Sequence, residues 1–163
     1  MSDIVKRNLD WFAQTGQIPD GAEPNPAQAA FYTGMQMEEL AEKLQAVFGK
    51  DSQMARLMHE HANLLKSGKY DEQFGAALGL GKAGDMLDAD IDLLWVSLGG
   101  AKALGSNVHG AWSAVALANE AKRFPDGAYH RDPVSRKVLK PEGWAAPELG
   151  VFLHPALRQE GSK

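Results

Sequence analysis

Residues 28–48, QAAFYTGMQMEELAEKLQAVF, decide the fold class of this chain. Large apolar residues recur in this segment at the three- and four-residue spacing of one helical face, and the run ends at Gly49. The residues of this face are Met37, Leu40, Leu44, Val47 and Phe48. We therefore predict a long amphipathic helix whose apolar face is buried in a core.

The flanking sequence carries the start and stop signals of further helices. Prolines and glycines in residues 16–27 predict an extended connection after a short N-terminal helix. Asp51 or Ser52 can cap a helix that runs to about Lys66. Two more helices are predicted over about residues 82–104 and 107–124, after a glycine-rich stretch at 74–84. The fold class that follows is all-α, a four- to five-helix bundle with a proline-rich, loop-like C-terminal tail and a short hairpin across residues 132–136.

Composition limits the classes of function. The 163 residues, 44% of them hydrophobic, predict a single domain over 1–163, with a helical core at about 28–124 and a looped tail at 125–163. A formal charge of −4 without a long basic run predicts no nucleic acid polymer as a partner. The absence of cysteine excludes thiolate metal ligands and fits a cytoplasmic protein, in the host cytoplasm if the chain is viral. No segment approaches the roughly 18 apolar residues of a membrane span, so no membrane partner is expected.

The segment DADID at residues 88–92 places aspartates at alternating positions, as a calcium-binding EF-hand loop does. Such a loop needs glycine at its sixth position and a bidentate glutamate at its twelfth. Here these positions hold Leu93 and Gly99, so we exclude this kind of calcium site.

Helical geometry groups these acids differently. Each residue of a helix turns by about 100°, so Asp85, Asp88 and Asp92 fall in one sector roughly 60° wide, and Asp90 lies outside it. Apolar residues flank the sector, so we expect Asp88 and Asp92 to lie beside the core and to need a neutralising cation. The flanking residues are Leu87, Ile91, Leu94 and Leu98 on one side and Leu93 and Val96 on the other. Asp85 is alternatively a residue that stabilises the helix start through the macrodipole.

A second pair of carboxylates lies on the helix of residues 28–48. Glu39 and Glu42 are three residues apart, with Glu38 beside them, and like charges at this spacing destabilise an isolated helix. A solvated helix face is the plain alternative. If the two acidic helices face each other, their carboxylates form an oxygen-rich site for Mg²⁺ or Mn²⁺. No Glu-x-x-His motif supports a two-iron centre.

A cluster of carboxylates binds an anionic substrate through bridging divalent ions, which is common in phosphate chemistry. The region after residue 118 supplies the cationic side chains that would face the phosphates. Phe31, Tyr32 and Met35 are candidates for stacking on a nucleobase, and ordinary core packing is an equal alternative for them.

These segments together resemble the all-α nucleoside triphosphate pyrophosphohydrolases of the MazG-like superfamily, related to dimeric dUTPases and phosphoribosyl-ATP pyrophosphohydrolases. EELAE at 38–42 is similar to the EExxE motif of the family, and DADIDLLWVSLGGAKALG at 88–105 is similar to its later acidic motif. ALANEAKRFPDG resembles its Asn-x-x-Lys element, and RKVLKPEGWAAPEL resembles its tail in phage-type members. The second motif departs from the family pattern, because its acids are four residues apart and an aspartate replaces a glutamate. Either Asp85 or Asp88 is therefore the partner of Asp92.

The resemblance implies hydrolysis of a nucleoside triphosphate or deoxynucleoside triphosphate to the monophosphate and pyrophosphate. Members of the phage-type, MazZ-like branch act on guanine deoxynucleotides, which makes dGTP a candidate substrate. The resemblance implies two or more Mg²⁺ or Mn²⁺ ions, whose ligands are Glu39, Glu42, Asp88 and Asp92, with Asp85 as the alternative. The implied catalytic residues are Glu38 and Glu39. The phosphate-binding candidates are Asn119, Lys122, Arg131, Lys137 and Lys140. The resemblance also implies a homodimer or a dimer of dimers. A noncatalytic module that binds metal and nucleotide, or a helical interaction module, is the alternative.

Overall fold

The computed structural model describes residues 2–18 and 23–158, and these residues form an all-α fold, as predicted. Six α-helices occur in the described residues, and no β-strand occurs there. The helices are α1 (Ser2–Gln14), α2 (Pro26–Phe48), α3 (Gln53–Lys66), α4 (Asp71–Gly79), α5 (Ala83–Ala103) and α6 (Val108–Glu120). Two short 3₁₀ turns lie in the tail, at Gly150–Phe152 and Pro155–Leu157. Residues 19–22 of the predicted extended connection lie outside the described residues.

The chain forms two compact units, and their boundary falls inside α5. We call Ala22–Asp88 the central unit, which contains α2, α3, α4 and the first turns of α5. We call Met1–Gly21 together with Ala89–Lys163 the terminal unit, which contains α1, the rest of α5, α6 and the tail. The single domain predicted over 1–163 stays a prediction.

Capping residues begin and end the helices close to the predicted positions. Asn25 accepts a hydrogen bond from the backbone N–H of Gln28 (3.1 Å), so it caps the start of α2. Ser52 caps α3 in the same way. Gly49 ends α2 at a φ of 87°, a left-handed conformation that favours glycine.

Two elements differ from the prediction. A short helix, α4, forms over residues 71–79, where we expected only a glycine-rich connection. Helix α6 ends at Glu120, although the predicted helix ran to Phe124. Phe124 precedes a proline, and such residues disfavour the helical conformation, so the helix could not have continued through Phe124.

Helices α2 and α3 of the central unit pack through small side chains. The fully buried residues of this pair are Ala30, Ala41, Ala55 and Ala62. Gly34 marks a close approach of the helices, since a Cβ atom there would lie only 2.8 Å from the carbonyl oxygen of Ala62. Leu40, Val47 and Phe48 are in contrast exposed. The predicted helix is therefore confirmed, whereas its predicted buried face is wrong for Leu40, Val47 and Phe48; Met37 and Leu44 are half-buried.

Three side chains of the terminal unit hydrogen-bond to the end of α6. The indole N–H groups of Trp144 and Trp11 donate to the carbonyl oxygens of residues 118 and 119, at 2.7 Å and 3.2 Å. The hydroxyl of Tyr129 donates to the carbonyl oxygen of residue 120 at 3.2 Å. The last carbonyls of a helix lack partners within the helix, so these bonds cap it. They also fix α1 and the tail near Lys122, which lies two residues after the end of α6.

The tail makes the tight turn that its sequence predicts. An antiparallel bridge joins Arg131 to Val138 around residues 132–136. The carboxylate of Asp132 accepts hydrogen bonds from the backbone N–H groups of Val134 (2.9 Å) and Ser135 (2.6 Å). Bonds to Ser135 are the main cause that lowers the pKa of Asp132. Arg136 takes a left-handed φ of 58° where the turn closes.

Candidate functional site

The carboxylates of α2 lie in two different environments. Glu38 faces α3, where its Oε1 atom lies 3.0 Å from the Nζ atom of Lys66, and their side chains are only 18% and 14% exposed. Glu39 and Glu42 are exposed. Glu38 is therefore part of the contact between α2 and α3, while its two neighbours on the helix face solvent.

The aspartates of α5 are exposed rather than held beside a core. Asp88 and Asp92 lie one helical turn apart, as predicted, and both are exposed. Asp85 is exposed too, and Lys82 donates a hydrogen bond to it at 3.2 Å. The apolar residues expected to bury the sector are themselves largely exposed. Ile91 is 57% and Val96 is 62% exposed, so the expectation that core flanks these acids is wrong for the single chain.

The predicted metal ligands can be compared with the needs of Mg²⁺ or Mn²⁺. Each helix offers an exposed pair of carboxylates at a spacing of three or four residues, which fits the oxygen ligands that these ions prefer. Among the described side chains, however, no group of three or more acids and histidines is placed to hold an ion. The shared metal site of α2 and α5 stays a prediction.

The aromatic candidates for base stacking belong largely to the central unit's interior. Phe31 is only 5% exposed and makes an edge contact with Tyr32 at a centroid distance of 5.5 Å. Tyr32 and Met35 are half-buried. The packing interpretation of Phe31 therefore fits the structure better than stacking on a ligand.

A group of lysines and tryptophans lies at the end of α6, and we call Lys122, Lys137, Lys140, Trp11 and Trp144 the lysine cluster. The Nζ atom of Lys122 lies 5.9 Å from the ring centroid of Trp11 and 5.6 Å from that of Trp144. The Nζ atom of Lys140 lies 4.3 Å from the Trp144 ring. Such distances allow cation–π attraction. The structure thus brings together three of the five residues predicted to bind phosphate.

Electrostatics make this cluster receptive to an anion. Burial lowers the pKa of Lys122, and the positive charges of Lys140 and Lys137 lower it further. No carboxylate of the described residues forms an ion pair with Lys122 or Lys140. An anion placed here would relieve the repulsion among the lysines.

The other two predicted phosphate ligands have structural contacts. Arg131 donates a hydrogen bond to the carbonyl oxygen of Gly16 at 3.0 Å and so fixes the tail to the turn after α1. The backbone carbonyl of Asn119 accepts the bond from Trp11, and Asn119 also lines a neighbouring cleft.

The sequence-based prediction missed the contribution of α1. Arg7 donates two hydrogen bonds to the carboxylate of Glu120, one of them 2.7 Å long. These bonds are the main cause that lowers the pKa of Glu120, with the charge of Arg7 contributing further. The sequence contained a signal for the contribution of α1 to the lysine cluster, namely the tryptophan in each of the segments LDWF and EGWAA. Indole rings commonly pack against cationic side chains.

The fold and the lysine cluster define the class of protein only broadly, as an all-α protein with a tryptophan-lined cationic site. Comparison of the chain with protein-family models, curated proteins and solved structures gives no match. Among the described residues, every helix is too short or too polar to cross a bilayer.

Proposed function

We propose that the protein is a metal-dependent nucleoside triphosphate pyrophosphohydrolase, which cleaves a nucleoside or deoxynucleoside triphosphate to the monophosphate and pyrophosphate. The lysine cluster is the observation that carries this proposal. It brings three lysines together, and no carboxylate in the described part of the chain pairs with Lys122 or Lys140. It also includes the lysine that the family resemblance assigns to phosphate. A triphosphate supplies the negative charge that such a cluster favours.

The proposed metal ligands are exposed carboxylates of α2 and α5. Glu39 and Glu42 on α2 and Asp88 and Asp92 on α5 would hold Mg²⁺ or Mn²⁺, and Lys82 leaves Asp85 as the weaker candidate. The chemistry supplied by bound ions would be polarisation of phosphoryl oxygens and acidification of a water.

Side chains of the protein bind the phosphates and accept the proton of the attacking water. Lys122 and Lys140 bind the phosphates, and the repulsion between them falls as the anion arrives. Glu38, which lies 3.0 Å from Lys66 at the contact with α3, either accepts the proton of the attacking water or orients the metal ligand Glu39 beside it. Water adds across the bond between the α- and β-phosphates, so the monophosphate and pyrophosphate are the two products.

The experiment is a screen of all nucleoside and deoxynucleoside triphosphates, including dGTP, with Mg²⁺ and with Mn²⁺, scored for both products. We expect pyrophosphate release that is lost in Glu42→Gln and Asp92→Asn and kept in Asp90→Asn, the matched control outside the acidic sector. Release of orthophosphate instead of pyrophosphate, or full activity in both site variants, would refute the proposal.

Helix α5 supports a further part of the proposal, that the chain acts as a homodimer or a dimer of dimers. This 21-residue helix has no buried residue within the described chain, although it is rich in large apolar side chains. Leu87, Ile91 and Trp95 lie on one helical face and are 62%, 57% and 75% exposed. Large apolar side chains that are exposed together on one helix face are typical of an interaction site.

Light scattering tests this part directly. We expect at least twice the 17.6 kDa of one chain, reduced to a single chain by Ile91→Glu. Leu80→Glu is the control, because Leu80 is 78% exposed and lies outside α5. A monomeric wild-type chain would contradict self-association. If, in addition, no triphosphate is hydrolysed, the exposed face of α5 favours the alternative of a helical interaction module with another partner.

A further inference from the structure

A cleft of about 340 Å³ lies within the terminal unit, between α1, α6 and the second half of α5. Its larger apolar wall residues are Trp11, Trp112, Leu98, Val108 and Val115. Small-molecule sites typically have this size and this predominance of apolar and aromatic walls. Asn119 is the one residue of the predicted site that lines the cleft.

A few polar groups line the same cleft. The side-chain amides of Asn8 and Asn119 make no hydrogen bond to another described residue. Each amide offers both donors and an acceptor, which is the pattern that the edge of a nucleobase requires. Arg7 neutralises Glu120, which also lines the cleft, so that carboxylate opposes a bound anion less strongly.

Trp11 connects the cleft with the lysine cluster. Its indole ring lines the cleft, and the same ring lies 5.9 Å from the Nζ atom of Lys122. An apolar, aromatic cavity beside a group of lysines is complementary to one kind of ligand, a flat ring attached to an anionic group. Nucleotides have this construction, and bases stack favourably on tryptophan rings.

We propose that this cleft binds the nucleobase of a nucleotide whose phosphates lie at the lysine cluster. The identity of the ligand rests on the proposed function, whereas the position of the base follows from the walls of the cleft. This assignment moves base recognition from the aromatic residues of α2 to the terminal unit, and it makes Trp11 and Trp112 the stacking residues and Asn8 and Asn119 the residues that contact the base edge.

Two alanines of α5 give a matched test. Ala101 lines the cleft, and Ala103, two residues later, is exposed and outside it. We would measure calorimetrically the binding of the four deoxynucleoside 5′-monophosphates and of inorganic pyrophosphate. Ala101→Leu fills the cleft, so we expect it to weaken binding of the preferred monophosphate at least tenfold and to leave pyrophosphate binding unchanged. Ala103→Leu should change neither.

A second variant keeps the test valid if Ala101→Leu does not fold. Asn8 is exposed, so Asn8→Ala leaves the packing intact, and we expect it to weaken monophosphate binding several-fold without affecting pyrophosphate. Unchanged monophosphate binding in these variants, or no monophosphate binding by the wild-type chain, overturns the inference. A change of oligomeric mass in Ala101→Leu with nucleotide binding intact also overturns it, because a second copy of the chain would then occupy the cleft.

The outcome is separable from that of the proposed function. Monophosphate binding that depends on the cleft, without hydrolysis of any triphosphate, supports the base site and refutes the enzyme. Hydrolysis that is insensitive to both cleft variants supports the enzyme and refutes the base site.

Discussion

Two lysines, one in each unit, are half-buried in opposite circumstances. In the central unit, Lys66 lies against α2 and pairs with Glu38 at 3.0 Å. In the terminal unit, Lys122 lies between two tryptophan rings, near two further lysines and without an ion-paired carboxylate in the described chain. The first lysine is neutralised by a carboxylate of its own unit, whereas the second one has aromatic rings and like charges around it. Burial alone therefore does not distinguish the two lysines, and the charges around them do.

The largest expected effect is on the lysine that the fold satisfies. Lys66→Met removes the ammonium group that pairs with the half-buried Glu38, which should lower the free energy of unfolding by about 3 kcal/mol. Urea unfolding measures the loss, and the double variant Lys66→Met, Glu38→Met should recover most of it. A loss below about 0.5 kcal/mol, as for an exposed pair, would contradict this interpretation of the contact.

The second effect concerns the close packing beside the same contact. Gly34→Ala places a Cβ atom 2.8 Å from the carbonyl oxygen of Ala62, so we expect a loss of about 2 kcal/mol. Gly99→Ala in α5 is the control, because a Cβ atom there meets nothing within 4 Å. Alanine is the better helix former, so this control should gain up to about 1 kcal/mol. If Gly34→Ala and Gly99→Ala change the free energy of unfolding in the same direction, the close packing at Gly34 is not the cause.

The third effect is on Lys122, which is half-buried near two further lysines. Lys122→Met removes a charge that burial and two lysines oppose, so the unfolding free energy at neutral pH should stay equal or rise. Pyrophosphate binding should fall at least tenfold in calorimetry. Since a bound anion raises the lowered pKa of Lys122, wild-type binding should be accompanied by proton uptake at alkaline pH, absent in the variant. Destabilisation together with unchanged pyrophosphate binding would make Lys122 a structural residue like Lys66.

The smallest effect is expected for the ion pair of Arg7 and Glu120 in the terminal unit, which is more exposed than the pair of Lys66 and Glu38 in the central unit. Arg7 lowers the pKa of Glu120 below its ordinary value of 4.5, so the stabilisation is fully present above about pH 4.5 and is lost as the pH falls through the lower, folded value. Because both side chains are more than a third exposed, we expect only about 0.5 kcal/mol. Melting temperatures of the wild type and Arg7→Met should differ at pH 7 and converge near pH 3. A difference in melting temperature that is the same at pH 7 and pH 3 would contradict the assignment of this stabilisation to the ion pair of Arg7 and Glu120.

The helices of this chain could be predicted from sequence because their ends are encoded locally. Ser52 and Asn107 cap the helices that follow them, and Gly49 and Gly105 take positive φ values after the helices that precede them. Helix α4 was missed because its glycines resemble those of a loop.

The packing could not be predicted in the same way. Three of the five residues that the sequence presents as a buried face, Leu40, Val47 and Phe48, are exposed. The buried residues of α2 are instead Ala30, Phe31, Gly34 and Ala41, and Gly34 marks the close approach to α3. Which face packs depends on how closely a neighbouring helix can approach, and the periodicity of one helix contains no information on that distance.

The candidate site was likewise predictable only in part. Lys122, Lys137 and Lys140 were predicted as a set and lie together, as the causes of the lowered pKa of Lys122 show. The two tryptophans of the lysine cluster come from segments more than a hundred residues apart along the chain, and no local pattern connects such segments. The carboxylates were predicted from helical spacing, which places residues on a face but does not determine what that face meets.

The aromatic caps of α6 have a consequence for how the terminal unit unfolds. An N-terminal helix, a loop residue and a proline-rich tail each satisfy one carbonyl at the same helix end. The carbonyl oxygens of residues 119 and 120 also accept the backbone N–H groups of Lys122 and Arg123, at 3.1 Å and 3.4 Å. The three segments nevertheless hold the same helix end, so we expect them to open together in hydrogen exchange. Removal of the tail before Trp144 should then increase hydrogen exchange in α1.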